Sequence, residues 1–345
     1  MNSNKVPQRI KKVNSNGICD IDHYLALDWS LNVMAIAHMN QKSGAPKIHE
    51  RPSNIKELKE YLVSLKGRKI LALEETTTSQ WLYLELVDIV DRIIICDPFR
   101  NRLLSDGPKT DKIDAGKLCM LLRAGLLKEV FHSSDTLYDL RVLVSAYEDV
   151  LGSGVRIINQ QNALERGHFT TSDNAPFILE HMKKNIEIYR ASKKEYKRKF
   201  EEIVKKHTIA KYQDEIPGIG VIGAVKVVAT VVDAHRFPYI GKYWCYCGLA
   251  QNEKFSGGRS YGHRRPRFNR RLKSVYKTAA SSCISGKNNP MKQYYNFLVE
   301  KGIAEHNARN AVARYIAKVS YGMLKNGHRY DPHYGRSETS EHHDA

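Results

Sequence analysis

No run in the 345 residues approaches the ~18–20 consecutive apolar positions of a membrane-spanning helix, so no membrane span is expected. Cysteine is sparse: Cys19, Cys96, Cys119, Cys245, Cys247 and Cys283 are scattered, with no Cys-x-x-Cys among them. Cys245 and Cys247 stand too close for zinc-finger spacing and have no second pair nearby. A zinc module and a disulfide scaffold are therefore disfavoured, and reduced, mostly buried thiols in a cytoplasmic protein are expected. Lys5, Arg9, Lys11 and Lys12 have no apolar run behind them, so no signal peptide is expected. Acid, too, is missing from one long segment, Phe255 to Lys273.

Positive charge is what the chain has in excess. Lys and Arg number 55 against 37 Asp and Glu, a net charge of +18 with a pI near 9.5. Such a balance points to a polyanionic partner, nucleic acid above all, with solubility as the plainer alternative. An apolar content of 42% with 27% charged residues describes an ordinary folded protein, and the length allows about two or three domains.

Residues 1–18 read as a flexible basic lead-in. His23–Trp29, Asn32–Met39 and, more weakly, Lys47–Arg51 read as strands. Asn54 and Glu57 form a capping box before a helix with Ile55, Leu58, Leu62 and Leu65 on one face, ended by Gly67. A strand at Lys69–Leu73, a helix at Gln80–Val90 and a strand at Arg92–Cys96 follow, then a helix over 110–126 with Thr110 as cap. The order β-β-β-α-β-α-β-α indicates an α/β layer with a mixed sheet over residues 19–130.

From 131 to 211 the pattern becomes heptad-like. Leu137, Leu140, Val144, Tyr147 and Leu151 step by three and four, and Val155 and Ile158 continue after a slip. Leu179, Met182, Ile186, Tyr189, Tyr196, Phe200 and Ile203 repeat the spacing, with Lys193 as a polar interruption. Two long helices joined near 167–176 are expected to form a coiled-coil arm, paired within one chain or between two. Residues 212–334 read as a mostly helical domain, with helices at Val221–Val232, Leu272–Ile284, Met291–Lys301 and Glu305–Leu324, and residues 335–345 as a polar tail.

Three places carry chemistry. Pro217-Gly218-Ile219-Gly220 opens a helix as a helix-hairpin-helix does; Gly218 and Gly220 either free backbone N–H groups for a phosphate or allow close packing. The acid-free segment holds Arg259, Arg264, Arg265, Arg267, Arg270, Arg271 and Lys273 with Tyr261, His263 and Phe268 interleaved, which suits a sugar-phosphate backbone better than a plain solvated face. Gly257 and Gly258 leave Ser256 open to close approach. Finally, Asp111 and Asp114 lie three apart on the first turn of a helix. They either suit its dipole or hold a metal. Asp28 interrupts the first strand and Glu74 and Glu75 end the fourth, so a mixed sheet can gather these acids. Four such carboxylates would hold Mg²⁺, and two ions would serve phosphodiester chemistry. That order is what an RNase H-like or RuvC-like nuclease core would show.

These motifs resemble one family, the DEDD-type transposases of insertion-sequence family one hundred and ten. Leu-Asp-Trp-Ser around Asp28, Leu-Glu-Glu-Thr at 73–76 and Lys-Thr-Asp-Lys-Ile-Asp-Ala at 109–115 carry the likeness. Ile-Pro-Gly-Ile-Gly at 216–220, Arg-Phe-Pro at 236–238, Gly-Leu-Ala at 248–250, Ser-Gly-Gly at 256–258 and Tyr-Asp-Pro at 330–332 complete it. The resemblance implies a RuvC-like domain, a coiled-coil arm and a C-terminal transposase domain. It implies Asp28, Glu74, Asp111 and Asp114 as ligands of Mg²⁺ (Mn²⁺ as alternative) and Ser256 as nucleophile, Phe255 standing where a second serine is common. Thr77 replaces the usual glycine after the glutamate motif, which leaves Glu75 as an alternative to Glu74. It further implies double-stranded donor and target DNA, a structured guide RNA, an assembly between dimer and tetramer with acids and serine from different subunits, and a cytoplasmic, nucleoid-associated prokaryotic protein. The rival readings are a RuvC-like junction resolvase using metal-activated water and a non-catalytic helix-hairpin-helix DNA-binding protein.

Overall fold

The computed structural model describes residues 21–98, 110–133, 137–167, 171–250, 252–264 and 267–332. It divides into two compact units, Met1–Ser134 and Asp135–Ala345. No helix among the described residues is long and apolar enough to cross a membrane.

The first unit is a mixed five-stranded sheet in the order β3-β2-β1-β4-β5. Its strands are β1 (His23–Trp29), β2 (Val33–Met39), β3 (Lys47–Pro52), β4 (Lys69–Glu74) and β5 (Arg92–Cys96). The first three run antiparallel as a meander, and β1, β4 and β5 are parallel, linked through α1 (Ile55–Ser64) and α2 (Ser79–Leu86). Asn54 caps α1, its Oδ1 accepting from the amides of Lys56 and Glu57, as the sequence predicts. The period-two alternation of the strands sorts the core into two layers. Leu25, Leu27, Met34, Ile36, Leu71, Leu73, Ile93 and Ile95 pack on α1 and α2. Tyr24, Ala26, Ala35, Ala37, Ile70 and Ala72 face α3 (Asp111–Arg123) on the other side. That second layer is unusually poor in bulk. Alanines on three strands meet Ala115 and Gly116 of the helix, where a Cβ on Gly116 would lie 3.0 Å from Ile48 Cδ1. The helix therefore sits close on the sheet.

The second unit is helical apart from one hairpin. It contains α4 (Tyr138–Arg166), α5 (Ala175–Lys206), α6 (Thr208–Asp214), α7 (Gly220–Val231), α8 (Ile240–Tyr246), α9 (Arg270–Ser285), α10 (Pro290–Glu300) and α11 (Glu305–Asn326), with β6 (Asn252–Ser256) and β7 (Arg259–Arg264) paired antiparallel. The long helices pack on each other within the chain, and their base closes on α7: Val144, Tyr147, Phe200 and Val204 share a core with Val225, Val228 and Ala229. Below this lies a larger core formed by α7, α8, α9 and α11. A buried polar chain crosses it. Ser320 Oγ donates to Gln213 Oε1 at 2.6 Å and shares a bond of 2.8 Å with Tyr276, whose hydroxyl also meets that of Tyr243. With each polar atom partnered, the chain fixes the register of α6, α8, α9 and α11.

One seam position differs from the sequence reading. Val155 is half exposed, and Gly154 faces inward in its place, so the three-four rhythm runs on without a slip. The reading erred because glycine has no side chain to register. A Cβ on Gly154 would fall 2.2 Å from the Tyr189 ring, whereas one on Gly152, two residues earlier, would meet nothing within 4 Å. Cys96, Cys119, Cys247 and Cys283 are buried free thiols and Cys245 is half-buried; Cys19 lies outside the described residues.

Gly152→Ala should therefore stabilise the protein by about 0.5–1 kcal/mol through helix propensity alone, and Gly154→Ala should destabilise it by about 1–3 kcal/mol through overpacking, both read from urea midpoints. A pH effect is expected in the first unit. Burial, then the charges of His23, Lys47 and His49, lower the His38 pKa; its ring also shares a 2.9 Å hydrogen bond with His23 and lies 3.5 Å from the Tyr61 hydroxyl. The unfolded chain then binds the proton more readily than the folded one, so stability falls as pH drops below about 6.5. His38→Asn should flatten that part of a Tm-versus-pH curve.

Candidate active site and basic hairpin

The acids of the first unit meet at one end of the α3 face. Asp28 follows Tyr24 and Ala26 in the alternation of β1 and so shares their side of the sheet. Glu74 follows Ile70 and Ala72 on β4 in the same way, and Glu75, one residue on, falls to the opposite side and is exposed. Extending the parallel register one pair past Leu27–Leu73 sets Asp28 beside Glu74. The next acid at that edge, buried Asp97, follows Cys96 and so turns away from α3.

The helix supplies the other two. Thr110 caps α3, its hydroxyl accepting from the Ile113 amide at 3.3 Å, so Asp111 and Asp114 stand in the first turn. Lys112 reaches Glu50 of β3 at 2.7 Å, and Cys119 donates to the Tyr24 carbonyl at 3.3 Å, which aligns the helix along the strands. Burial, then the negative charges of Asp111 and Asp114, raise the Asp28 pKa above the ordinary carboxylate value. Asp114 Oδ1 is buried without a hydrogen-bond partner. Mutually repelling carboxylates with an orphaned oxygen make a hard donor set that suits a divalent cation. Among the described residues, however, no three His, Cys, Asp or Glu side chains stand close enough together to hold a metal as they are. The acids are near enough to feel one another but are not gathered into a coordination shell.

Ser256 and the basic segment belong to the second unit. Ser256 ends β6 and pairs with Arg259 across a two-residue turn, Gly257 at φ +55 and Gly258 at φ +74. Two successive positive φ values make a primed hairpin turn, and Gly-Gly between short strands was the signal for it. Ser256, Arg259 and Tyr261 are exposed. The hydroxyl thus stands at the tip of a two-stranded ribbon.

The basic residues divide in two. Arg259, Arg267 and Arg270 face solvent; of Arg264 only the backbone is described, and Arg265 lies outside the described residues. Arg271 points inward instead. Its Nε donates to Glu148 Oε2 at 2.8 Å, and Lys226 meets the other oxygen at 2.9 Å. Burial alone would raise the Glu148 pKa; the hydrogen bonds from Arg271 and Lys226 outweigh it and hold the carboxyl low. Arg271 thus ties α9 to α4. A linear run cannot show which arginine of a helix turns in. Lys273 lies over the Phe268 ring at 4.3 Å from its centroid.

The Pro-Gly turn also divides. Gly218 (φ +83) is pressed on α9, where a Cβ would strike the Ala279 carbonyl oxygen at 2.3 Å. Close packing therefore accounts for Gly218. Gly220 (φ +64) has open space around it.

Known proteins add a family to this geometry. A model of the DEDD type of IS110 elements, described as Transposase, matches residues 26–169. A second, described as Transposase IS116/IS110/IS902 family, matches residues 211–296. The chain is 29% identical over 130 residues to the insertion element IS110 uncharacterized 43.6 kDa protein of Streptomyces coelicolor, covering 37% of this chain and 32% of that one. It is 28% identical over 120 residues to the insertion element IS116 uncharacterized 44.8 kDa protein of Streptomyces clavuligerus, covering 34% and 30%. The matched stretch thus spans about a third of each of these relatives. The first family match takes in Asp28, Glu74, Asp111 and Asp114 and the second takes in Ser256 and the basic segment, and on these two matches the chain belongs to the IS116/IS110/IS902 family of transposases.

Proposed function

We propose that the protein is a DNA transposase that excises and inserts its own mobile element, with Asp28, Glu74, Asp111 and Asp114 as the metal-binding acids and Ser256 as the nucleophile. The observation that carries this reading is the position of Asp111 and Asp114, close enough to Asp28 for their charges to raise its pKa. The β-β-β-α-β-α-β-α order supports a RuvC-like domain over residues 19–130, and the packed long helices support a coiled-coil arm over 131–211, followed by a transposase domain over 212–334. DEDD transposases normally use divalent metal ions. Mg²⁺, or Mn²⁺, bound by the four acids would neutralise charge at a phosphodiester.

In this mechanism the chain contributes an exposed hydroxyl and a cationic ribbon. Arg259, Arg267 and Arg270 hold the sugar-phosphate backbone while Ser256 Oγ, losing its proton, attacks phosphorus. A new O–P bond forms, the bond to the leaving nucleoside oxygen breaks, and that oxygen takes up a proton. The phosphoserine ester conserves the energy for rejoining to a second strand. Double-stranded donor and target DNA, a structured guide RNA, and an assembly between dimer and tetramer in which acids and serine come from different subunits belong to the same proposal.

Two substitutions test it. Asp114→Asn should remove one repelling charge, lower divalent-dependent DNA cleavage by about a hundredfold or more, and blunt the rise in Tm that Mg²⁺ gives the unaltered protein; saturating metal contributes roughly 2.7 kcal/mol at a hundred times Kd. An unchanged response to Mg²⁺ would remove Asp114 from the site. Ser256→Ala should abolish the covalent protein–DNA adduct and strand transfer. A resolvase using activated water would keep cleaving, so persistent cleavage in that variant would decide for the junction-resolvase reading.

A further inference from the structure

A cavity of about 270 Å³ opens in the second unit, walled by Gly248, Leu249, Ala250, Lys273, Lys277, Asn307, Asn310 and Arg314. Three cations enter this wall and no carboxylate does. Lys273 and Lys277 are four apart on α9, and Asn307, Asn310 and Arg314 step by three and four on α11, so each helix presents one stripe to the same space. The frame around them is fixed. Gly248, at φ +66, packs against the Phe268 ring, where a Cβ would lie 2.6 Å from Cδ2, and that ring carries the Lys273 ammonium. The Trp244 indole donates to the Arg314 carbonyl at 3.0 Å and locks α8 to α11.

Three like charges sharing a concave, acid-free wall repel one another and focus a positive field. An anion relieves that cost, and the neighbouring amides of Asn307 and Asn310 offer both donors and acceptors. The volume falls just below the ordinary range of ligand cavities, about 300–1,000 Å³, which suits a phosphate and its attached sugar rather than a duplex. We propose that this cavity is a phosphate pocket that grips one nucleotide of a nucleic-acid strand, with Lys273, Lys277 and Arg314 on the phosphate and Asn307 and Asn310 on the sugar or base edge. The three residues on α11 lie outside both the acid-free run, which ends only at Glu300, and the stretch that matches the family. The proposal rests on the nucleic-acid reading of the protein only for the source of the phosphate.

The test uses the full chain in EDTA, where no metal-dependent cleavage occurs, so its failure is separate from failure of the catalytic reading. Binding of a labelled single-stranded DNA and of an RNA of the same sequence is measured against salt for the Lys277→Gln/Arg314→Gln protein. Affinity should fall about tenfold or more, and the slope of log K against log salt should drop by roughly 0.7, the value for one single-strand phosphate contact. The charge-keeping Lys277→Arg/Arg314→Lys protein should retain the slope, and melting curves check that each variant folds. A loss confined to one strand type identifies that strand as the source, and a loss for both assigns the pocket to the shared phosphate. Equal loss in a Lys197→Gln/Lys199→Gln control on exposed α5, or unchanged binding of both strands in the cavity variant, overturns the proposal.

Discussion

The close seat of α3 on the sheet is the constraint on which the candidate catalytic geometry depends. Bulky residues would hold the helix farther from the sheet; here Ala26, Ala35, Ala37 and Ala72 face Ala115 and Gly116, and the first turn of the helix comes down beside the strand ends. The acids of α3 are therefore set by apolar packing several residues away. Charge opposes the arrangement, as the raised pKa of Asp28 and the partnerless oxygen of Asp114 show. A site held against its own electrostatics by the core beneath it is a common mark of function.

The second unit resolves its electrostatics differently. Glu148 takes both Arg271 and Lys226, a half-buried triad that binds α4, α7 and α9 together. Truncating one partner of such a group leaves the others uncompensated, so the triad specifies the joint between the long helices and the core more than it stabilises it. Arg259, Arg267 and Arg270 face solvent, and Lys273, Lys277 and Arg314 line the cavity between α9 and α11. One basic stretch thus serves two ends, with Arg271 as framework and Arg259 and Arg270 as surface.

Much of the first unit was legible because its signals are local. Short apolar runs marked β1 and β5 to the residue, the Asn54–Glu57 box marked the start of α1, and Thr110 marked that of α3. The choice of Glu74 over Glu75 rested on family spacing, and on β4 Glu74 shares the face of Ile70 and Ala72. The second unit was harder to read. The hairpin around Ser256 was passed over because its strands are short and mostly polar, although Gly-Gly is a turn signal. Short helices α6 and α8 were passed over for want of a full period.

By itself the sequence determined the element types of the first unit, the mixed sheet, the long helical pair and the positions of the acids, since each follows from patterns within one or two turns or strands. Tertiary structure alone decided which residues face one another. It turned Gly154 rather than Val155 into the seam, took Arg271 from the surface into the Glu148 triad, and brought stripes from α9 and α11 onto one cavity. The physical reason is the same in each case: side-chain direction depends on what packs against a helix, and the partner in these contacts lies some 30 to 120 residues away in the chain.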